Sequence, residues 1–531
     1  MHRFGYMAVV LALTNSLASH TLAQNGSSFI DAQRSPLNYR LGGVAPRVAC
    51  KDLARLSDGH VTILSTEVIA PAGDIPEFCR VLGVVRPEVK FEVALPTSWN
   101  RRIYMRGNGG YAGESLDAPP RVAQRNEALR NGFVAVQTNT GHDAAAEPLA
   151  TFAVSLQKTL DYAFRAVHES IKTAKRIVGV FYDRPAAYSY FDGCSTGGRQ
   201  GLISAQRFPG DFDGIVVGAP VLNFTDSVLA GIWQARALNA APISPGKLQR
   251  IAQAVYDKCD AADGLPDGLI DDPRQCRFDP AVDLPKCAGD EEKEGCFTSG
   301  QIGALKTLYG GIVSNGKPHF PGLLPGAEKV GADFITLRQK VSGWDEWVIG
   351  KSGPSRLLQY GEAFVRYLAF SKADSGYDWQ KFDFDKDLGR TDQIRALLDA
   401  RDPDLSEFKA RGGKIVMYFG WADTALSPMM GIDYYEKVTA KIGPATRDFY
   451  RLFMVPGMFH CRGGFGPHRF DAMTPLINWV ESGAQPQRIE ASLIEEGKTV
   501  RTRPLCPYPE VARYNGAGNI DDAANFACRA P

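Results

Sequence analysis

Ala187-Tyr-Ser-Tyr-Phe-Asp-Gly-Cys-Ser-Thr-Gly-Gly-Arg-Gln-Gly-Leu-Ile-Ser-Ala-Gln-Arg207 decides the fold. Ala187–Phe191 reads as a strand and Gly198–Arg207 as a helix, joined by a tight glycine-bearing turn. Within the turn, Gly193-Cys194-Ser195-Thr196-Gly197 fits G-x-S-x-G. Alone, that pattern is no more than a glycine turn with a serine in it. Between a strand and a helix it is what a nucleophile elbow requires. The turn crowds the backbone, so small residues flank the serine. The helix N-terminus behind it favours developing negative charge.

Working outward, Val61–Val68, Val81–Val85 and Lys90–Pro96 read as strands, and Cys50 and Cys79 bracket the first of these regions. Arg102–Arg106 runs into Gly107-Asn-Gly-Gly-Tyr-Ala-Gly113, and Gly132–Thr138 is a further compact strand. Residues 151–175 carry Leu156, Leu160, Phe164, Val167 and Ile171 at helical spacing, and Asp213–Gly218 is again a strand. Strand–helix–strand alternation predicts a mostly parallel sheet with helices on both faces, an α/β class. The rhythm stops between about Leu222 and Arg401, then resumes with a strand at Lys414–Phe419, a helix at Pro428–Ile442, a strand at Leu452–Pro456 and a helix at Pro475–Ser482. The expected organisation is a core in two parts, 24–221 and 402–531. An inserted lid over 222–401, about 180 residues long, is large enough for its own core.

Composition excludes several classes. The 531 residues are 44% hydrophobic and 22% charged, with 60 basic against 59 acidic groups. A net charge of +1 gives no footprint for nucleic acid or an anionic membrane. His2 and Arg3, the apolar run Tyr6–Leu13 and the small residues up to Ala23 read as a signal peptide over 1–23. The run is too short to span a bilayer. A secreted or periplasmic protein is therefore expected, in an oxidising space that suits ten cysteines.

A serine hydroxyl needs a base, and the base an acid to orient it. In α/β-hydrolases the order is Ser, Asp or Glu, His, each after a strand. Asp423, in Gly420-Trp-Ala-Asp423, and His460, in Pro456-Gly-Met-Phe-His460, fit. His60, His142 and His168 precede the serine, His319 falls in the lid, and His468 has no strand before it. Cys194 precedes Ser195 and Cys461 follows His460, so a bridge between them would tie the nucleophile loop to the base loop. The oxyanion donors are expected to be the amide of Thr196 and one from Gly109–Gly110, with Gly110 preferred. The glycine run lacks G-x-G-x-x-G spacing and no clear helix follows it, which argues against a dinucleotide site.

Cys259-Asp-Ala-Ala-Asp-Gly-Leu-Pro-Asp-Gly-Leu-Ile-Asp-Asp-Pro-Arg-Gln-Cys276 gathers Asp260, Asp263 and Asp267 in a loop bounded by cysteines. Three close carboxylates repel unless a cation sits among them, and calcium prefers such oxygens in a glycine-bent loop. The spacing is not that of an EF-hand. Calcium held by Asp260, Asp263 and Asp267, with the carbonyls of Leu265 and Leu269, is the expected structural role.

Gly-Cys194-Ser195-x-Gly-Gly-Arg, Gly-Trp-Ala-Asp423, Pro-Gly-Met-x-His460-Cys461 and the Cys-Asp-x-x-Asp-Gly-Leu-x-Asp-Gly loop together resemble the tannase/feruloyl esterase family across the mature chain. The resemblance implies an α/β-hydrolase core, a lid that binds an aromatic acyl group and calcium in the lid. It also implies five bridges: Cys50–Cys79, Cys194–Cys461, Cys259–Cys276, Cys287–Cys296 and Cys506–Cys528. The C-terminal run Arg503–Cys528 resembles members that cleave a terephthalate monoester. Those members carry glutamate after the serine, where this chain has Thr196. The expected activity is hydrolysis of a small aromatic ester, feruloyl first, with galloyl and terephthalate monoesters as rivals and no organic cofactor. Trp344, Trp347, Tyr360 and Phe364 are the lid aromatics proposed to meet the acid, and Arg356 or Arg366 the cations proposed to meet a carboxylate or phenol. The rival from another class is a calcium-dependent binding module that keeps the fold without catalysis.

Overall fold

The computed structural model describes residues 28–37, 39, 43–328, 343–350 and 353–531, so the signal-peptide reading lies outside the described residues. The main sheet takes in β1 (Val61–Ile69), β2 (Phe78–Val85), β3 (Val89–Pro96), β4 (Arg102–Arg106), β5 (Val134–Thr138), β6 (Tyr188–Cys194) and β7 (Gly214–Gly218). After a lid hairpin of β8 (Ile312–Ser314) and β9 (Lys317–Phe320), β10 (Lys414–Gly420) and β11 (Tyr450–Val455) complete it. The order is β1-β2-β3-β5-β4-β6-β7-β10-β11. From β5 to β11 every neighbouring pair is parallel, whereas β1–β2, β2–β3 and β3–β5 are antiparallel.

β7 and β10 read as near-continuous apolar runs because both faces are covered, and every residue of β5 and β7 is buried. Alternate side chains go to opposite faces. Ile415, Met417 and Phe419 of β10 join one core with Ile103, Phe191 and Ile215, beneath the helix Ala166–Tyr182. Val416 and Tyr418 join the other with Tyr104, Tyr190 and Val216, beneath the helices Pro119–Arg130 and Met473–Ser482.

The chain leaves β4 toward β5 on one side and returns through β6 to β7 on the other. This reversal between β4 and β6 opens a crevice at the strands' C-terminal ends, where open α/β sheets bind ligands. Gly107 follows β4 there and Ser195 follows β6.

Among the described residues, the stretch between β7 and β10 adds no strand to this sheet, and β7 and β10 are parallel neighbours. It builds a third core from Leu248, Ile251, Val255, Leu305, Leu308 and Trp344, closed by Ala422, Phe459 and Phe465 from the segments after β10 and β11. Beyond β11, β12 (Ile489–Glu495) pairs with β13 (Lys498–Leu505), and β14 (Val511–Tyr514) with β15 (Phe526–Arg529). All five expected bridges are formed and no cysteine is free.

Two expectations are corrected. A helix does follow the glycine run, at Pro119–Arg130, opened by two prolines whose fixed φ suits a first turn. The helix expected over 151–175 is broken: Leu156–Leu160 passes through a π-turn at Asp161–Arg165 into Ala166–Tyr182. The extra residue turns Leu156 out to solvent and Tyr162 in.

Candidate active site

Ser195 sits at the N-terminal edge of the helix Thr196–Arg207 with φ 62° and ψ −121°. A non-glycine residue with positive φ is strained, at a cost of order 1–3 kcal/mol, and such strain concentrates at functional sites. The turn accommodates it because Gly193, Gly197 and Gly198, close by on either side, lack side chains. A Cβ on Gly193 would come within 2.5 Å of the Gly197 backbone, and one on Gly198 within 2.5 Å of the Gly218 carbonyl. The Ser195 amide donates to the Gly218 carbonyl at 3.0 Å, anchoring the turn to the end of β7.

His460 and Asp423 arrive on the loops after β11 and β10. His460 Nε2 lies 2.9 Å from Ser195 Oγ, and its Nδ1 lies 2.8 Å from Asp423 Oδ2. The other Asp423 oxygen accepts the amides of Ala425 and Leu426, both at 2.9 Å. Asp423 is buried, so neither oxygen is left without a donor. The Cys194–Cys461 bridge joins the two loops directly, with Cα atoms 5.9 Å apart. Cys461, like Ser195, has a positive φ, at 65°.

The loop after β4 closes the crevice. The Gly109 amide donates to Glu114 Oε1 at 3.1 Å, whereas the Gly110 amide makes no hydrogen bond among the described residues. The Gly110 carbonyl accepts from Thr196 Oγ1 at 2.5 Å and from the Tyr162 hydroxyl at 3.0 Å. Of the two adjacent glycines, Gly110 is thus the one with an amide to offer, and Thr196 ties its loop to the elbow.

The four lid aromatics divide in two. The Trp347 ring meets His460 edge-on at 5.5 Å and lies parallel to Tyr360 at 6.5 Å, and the Tyr360 hydroxyl reaches over Gly110. Burial pushes the Tyr360 hydroxyl up, against an opposing pull from Arg356, so it stays protonated and able to donate. Trp344 and Phe364 are placed elsewhere. Trp344 is fully buried in the lid core against Tyr309, and Phe364 is fully buried beside Phe224. Their sequence signal was core packing, as aromatics at helical spacing usually signify. Arg356 lies over the Trp347 ring at 5.0 Å and pairs with Glu346 at 3.2 Å. Arg366 turns away to Glu362 and the Tyr377 carbonyl.

In the aspartate loop, Asp260 accepts the Gly268 amide at 2.9 Å, Asp263 those of Leu265 and Asp271, and Asp267 that of Leu269. Asp267 also pairs with Arg503. Burial pushes Asp263 up to about 6, backbone amides oppose it, and Asp267 and Asp260 add to it. Burial, then Asp263 and Asp267, pushes Asp271 up to about 7. Crowded hard oxygens that repel one another fit calcium in their chemistry. As placed, Asp260 and Asp263 accept amides of their own loop while Asp267 divides between Leu269 and Arg503, and no group of three acidic, histidine or cysteine side chains converges on a point among the described residues.

Sequence reasoning missed the residues that brace these loops. The buried Arg199 reaches the π-turn carbonyls of Ala163 at 3.0 Å and Tyr162 at 3.2 Å and lies over the Tyr162 ring at 4.9 Å. Its signal was an arginine in the first turn of the helix directly after the elbow.

An α/β sheet whose switch-point crevice carries a Ser–His–Asp hydrogen-bonded chain is the arrangement of the α/β-hydrolase esterases. Residues 74–529 match a family model described as tannase and feruloyl esterase, and the chain belongs to that family. An uncharacterized esterase from Xanthomonas campestris pv. campestris is 34% identical over 96% of both chains. Mono(2-hydroxyethyl) terephthalate hydrolase from Piscinibacter sakaiensis is 34% identical over 87% of this chain and 86% of its own. Among solved structures, feruloyl esterase B from Aspergillus oryzae aligns with a TM-score of 0.77 at 26% identity, over 90% of this chain and 99% of its own. The protein is accordingly a carboxylic ester hydrolase.

Proposed function

We propose that the protein hydrolyses esters of aromatic carboxylic acids through an acyl-enzyme on Ser195. His460 takes the Ser195 proton as Oγ attacks the carbonyl, then returns it to the departing alcohol. Asp423 holds the imidazole in the tautomer that leaves Nε2 free to accept. The amides of Thr196 and Gly110 receive the oxyanion. Water, deprotonated by His460, then releases the acid and restores the serine. The observation that carries this reading is the unbroken hydrogen-bond chain from Ser195 Oγ through His460 to the buried Asp423.

The face of Trp347 and the ring of Tyr360 supply an aromatic wall beside the base, which suits a planar acyl group. Feruloyl esters are the expected substrates. The half-exposed Arg356 above Trp347, together with the terephthalate-named relative, supports a terephthalate monoester as the second reading. Turnover of methyl ferulate, methyl gallate and the terephthalate monoester by one preparation tests the assignment. Highest kcat/KM on methyl ferulate supports it, and preference for either rival replaces the feruloyl reading.

Calcium is proposed for the loop of Asp260, Asp263 and Asp267, with the carbonyls of Leu265 and Leu269; bound there, it would neutralise the carboxylates. Export is proposed as well, supported by the five bridges, which suit an oxidising compartment.

A further inference from the structure

Glu114 is the hub of the loop that carries Gly110. Its Oε1 accepts the Gly109 amide at 3.1 Å. Its Oε2 accepts from Asn108 Nδ2 at 2.9 Å and from Arg121 Nη2 at 2.5 Å. Asn108 and Arg121 each make further bonds that hold the loop. Asn108 Nδ2 also donates to the Thr138 carbonyl at the end of β5, at 2.8 Å. The Asn108 amide donates to Gln200 Oε1, at 2.9 Å, on the helix that follows Ser195. Arg121 Nη1 donates to the Gly107 carbonyl at 2.9 Å. The glycine-rich loop thus has no side chains of its own at Gly109 and Gly110 to fix it, and a carboxylate five residues downstream supplies the fixture.

We infer that Glu114 is a positioning residue for the oxyanion site, selecting Gly110 as donor by occupying the amide of Gly109; this rests on the esterase reading of Ser195. Two adjacent glycine amides on a flexible loop could each rotate toward a developing charge. With Gly109 engaged, of these two amides it is that of Gly110 that has no partner among the described residues. The electrostatics agree. A lone carboxylate beside an oxyanion would oppose it, and the buried Arg121 cancels that charge. The acceptor oxygen facing Gly109 therefore positions the loop without a net negative field at the reacting carbonyl.

The test uses three variants of the full-length protein with p-nitrophenyl acetate, wild type and Ser195→Ala being run alongside. Glu114→Ala removes the acceptor, and Glu114→Asp keeps the charge but withdraws it by one methylene. Glu114→Gln keeps an acceptor oxygen at the same reach. Loss of a single oxyanion donor costs about 100- to 1,000-fold in kcat, so misalignment of one is expected to cost about 10- to 30-fold. That loss is expected in Ala and Asp, with KM within about twofold, since the contact matters in the transition state rather than in substrate binding. Gln is expected to keep kcat within about threefold of wild type. Melting temperatures separate positioning from folding, and Asp keeps the test open should Ala not fold. Wild-type kcat in the Asp variant overturns the inference, as does a Gln variant as slow as Ala. An inactive wild type, or an active Ser195→Ala, would instead overturn the esterase reading beneath it.

Discussion

Replacing Cys194 and Cys461 together by alanine separates what the bridge does for stability from what it does for the site. The bridge closes a separation of 267 residues. At that length the chain-entropy expression gives about 5 to 6 kcal/mol at 25 °C. Unfolding entropy near 2 cal/mol/K per residue converts this to a fall of about 5 °C in melting temperature. The effect on the site is larger in kind. Ser195 and Cys461 both hold positive φ, at 62° and 65°, and the bridge pins these two strained loops to each other. Released, Cys461 can relax toward an unstrained conformation and carry His460 from its 2.9 Å contact with Ser195. A displacement near 1 Å in a reacting geometry costs about 100-fold. The assay is steady-state hydrolysis of methyl ferulate at 20 °C, well below melting, beside thermal denaturation of the same samples. The expected result is a fall in kcat of about 10- to 100-fold with a smaller change in KM. A double variant that melts earlier yet retains wild-type kcat would refute the positioning role and leave the bridge as a staple of the unfolded chain alone.

Three further outcomes follow from the same geometry. Trp347→Ala removes the aromatic wall beside His460 and is expected to raise KM for methyl ferulate about 10-fold while changing KM for p-nitrophenyl acetate far less, as Michaelis kinetics on both substrates would report. Chelation with EGTA is expected to lower the melting temperature, and added calcium to restore it, because the proposed ion relieves repulsion among Asp260, Asp263 and Asp267; a melting curve indifferent to both would remove calcium from the account. Burial pushes Glu127 up to about 8, with Arg106 opposing and Asp192 and Asp471 reinforcing. A carboxyl raised on folding stabilises fully below its unfolded value near 4.5, and that contribution is lost as pH rises through about 8. Glu127→Gln should therefore flatten the decline in melting temperature between pH 4.5 and 8, and an unchanged slope would show that other groups set it.

The site was more legible than the fold around it. Ser195, Asp423 and His460 each follow a strand, and strand ends with small flanking residues leave a local signature. Cys194 and Cys461 were readable because they adjoin those residues. What escaped depends on contacts distant in sequence, on packing without periodicity or on a loop's own turns, which have no side-chain signature. Beyond its prolines, the helix Pro119–Arg130 has only Val122, Ala123, Ala128 and Leu129 as apolar positions, too few and too scattered to stand out from a loop. The π-turn at Asp161–Arg165 is stabilised by Arg199, which the elbow motif contains but whose partners, more than 30 residues earlier, no local pattern announces. Glu114 is an ordinary acidic residue until the fold brings Gly109, Asn108 and Arg121 around it. Trp344 and Phe364 resembled Trp347 and Tyr360 in sequence because burial in a core and exposure to a crevice call for the same residue types.

The central claim is that Ser195 is the nucleophile of an aromatic-ester hydrolase. Its most direct test is the turnover of methyl ferulate by Ser195→Ala against wild type, both shown to be folded by their melting curves. Turnover by wild type and a loss of at least about 10,000-fold in kcat for the variant are expected. Turnover by Ser195→Ala at the wild-type rate would contradict it.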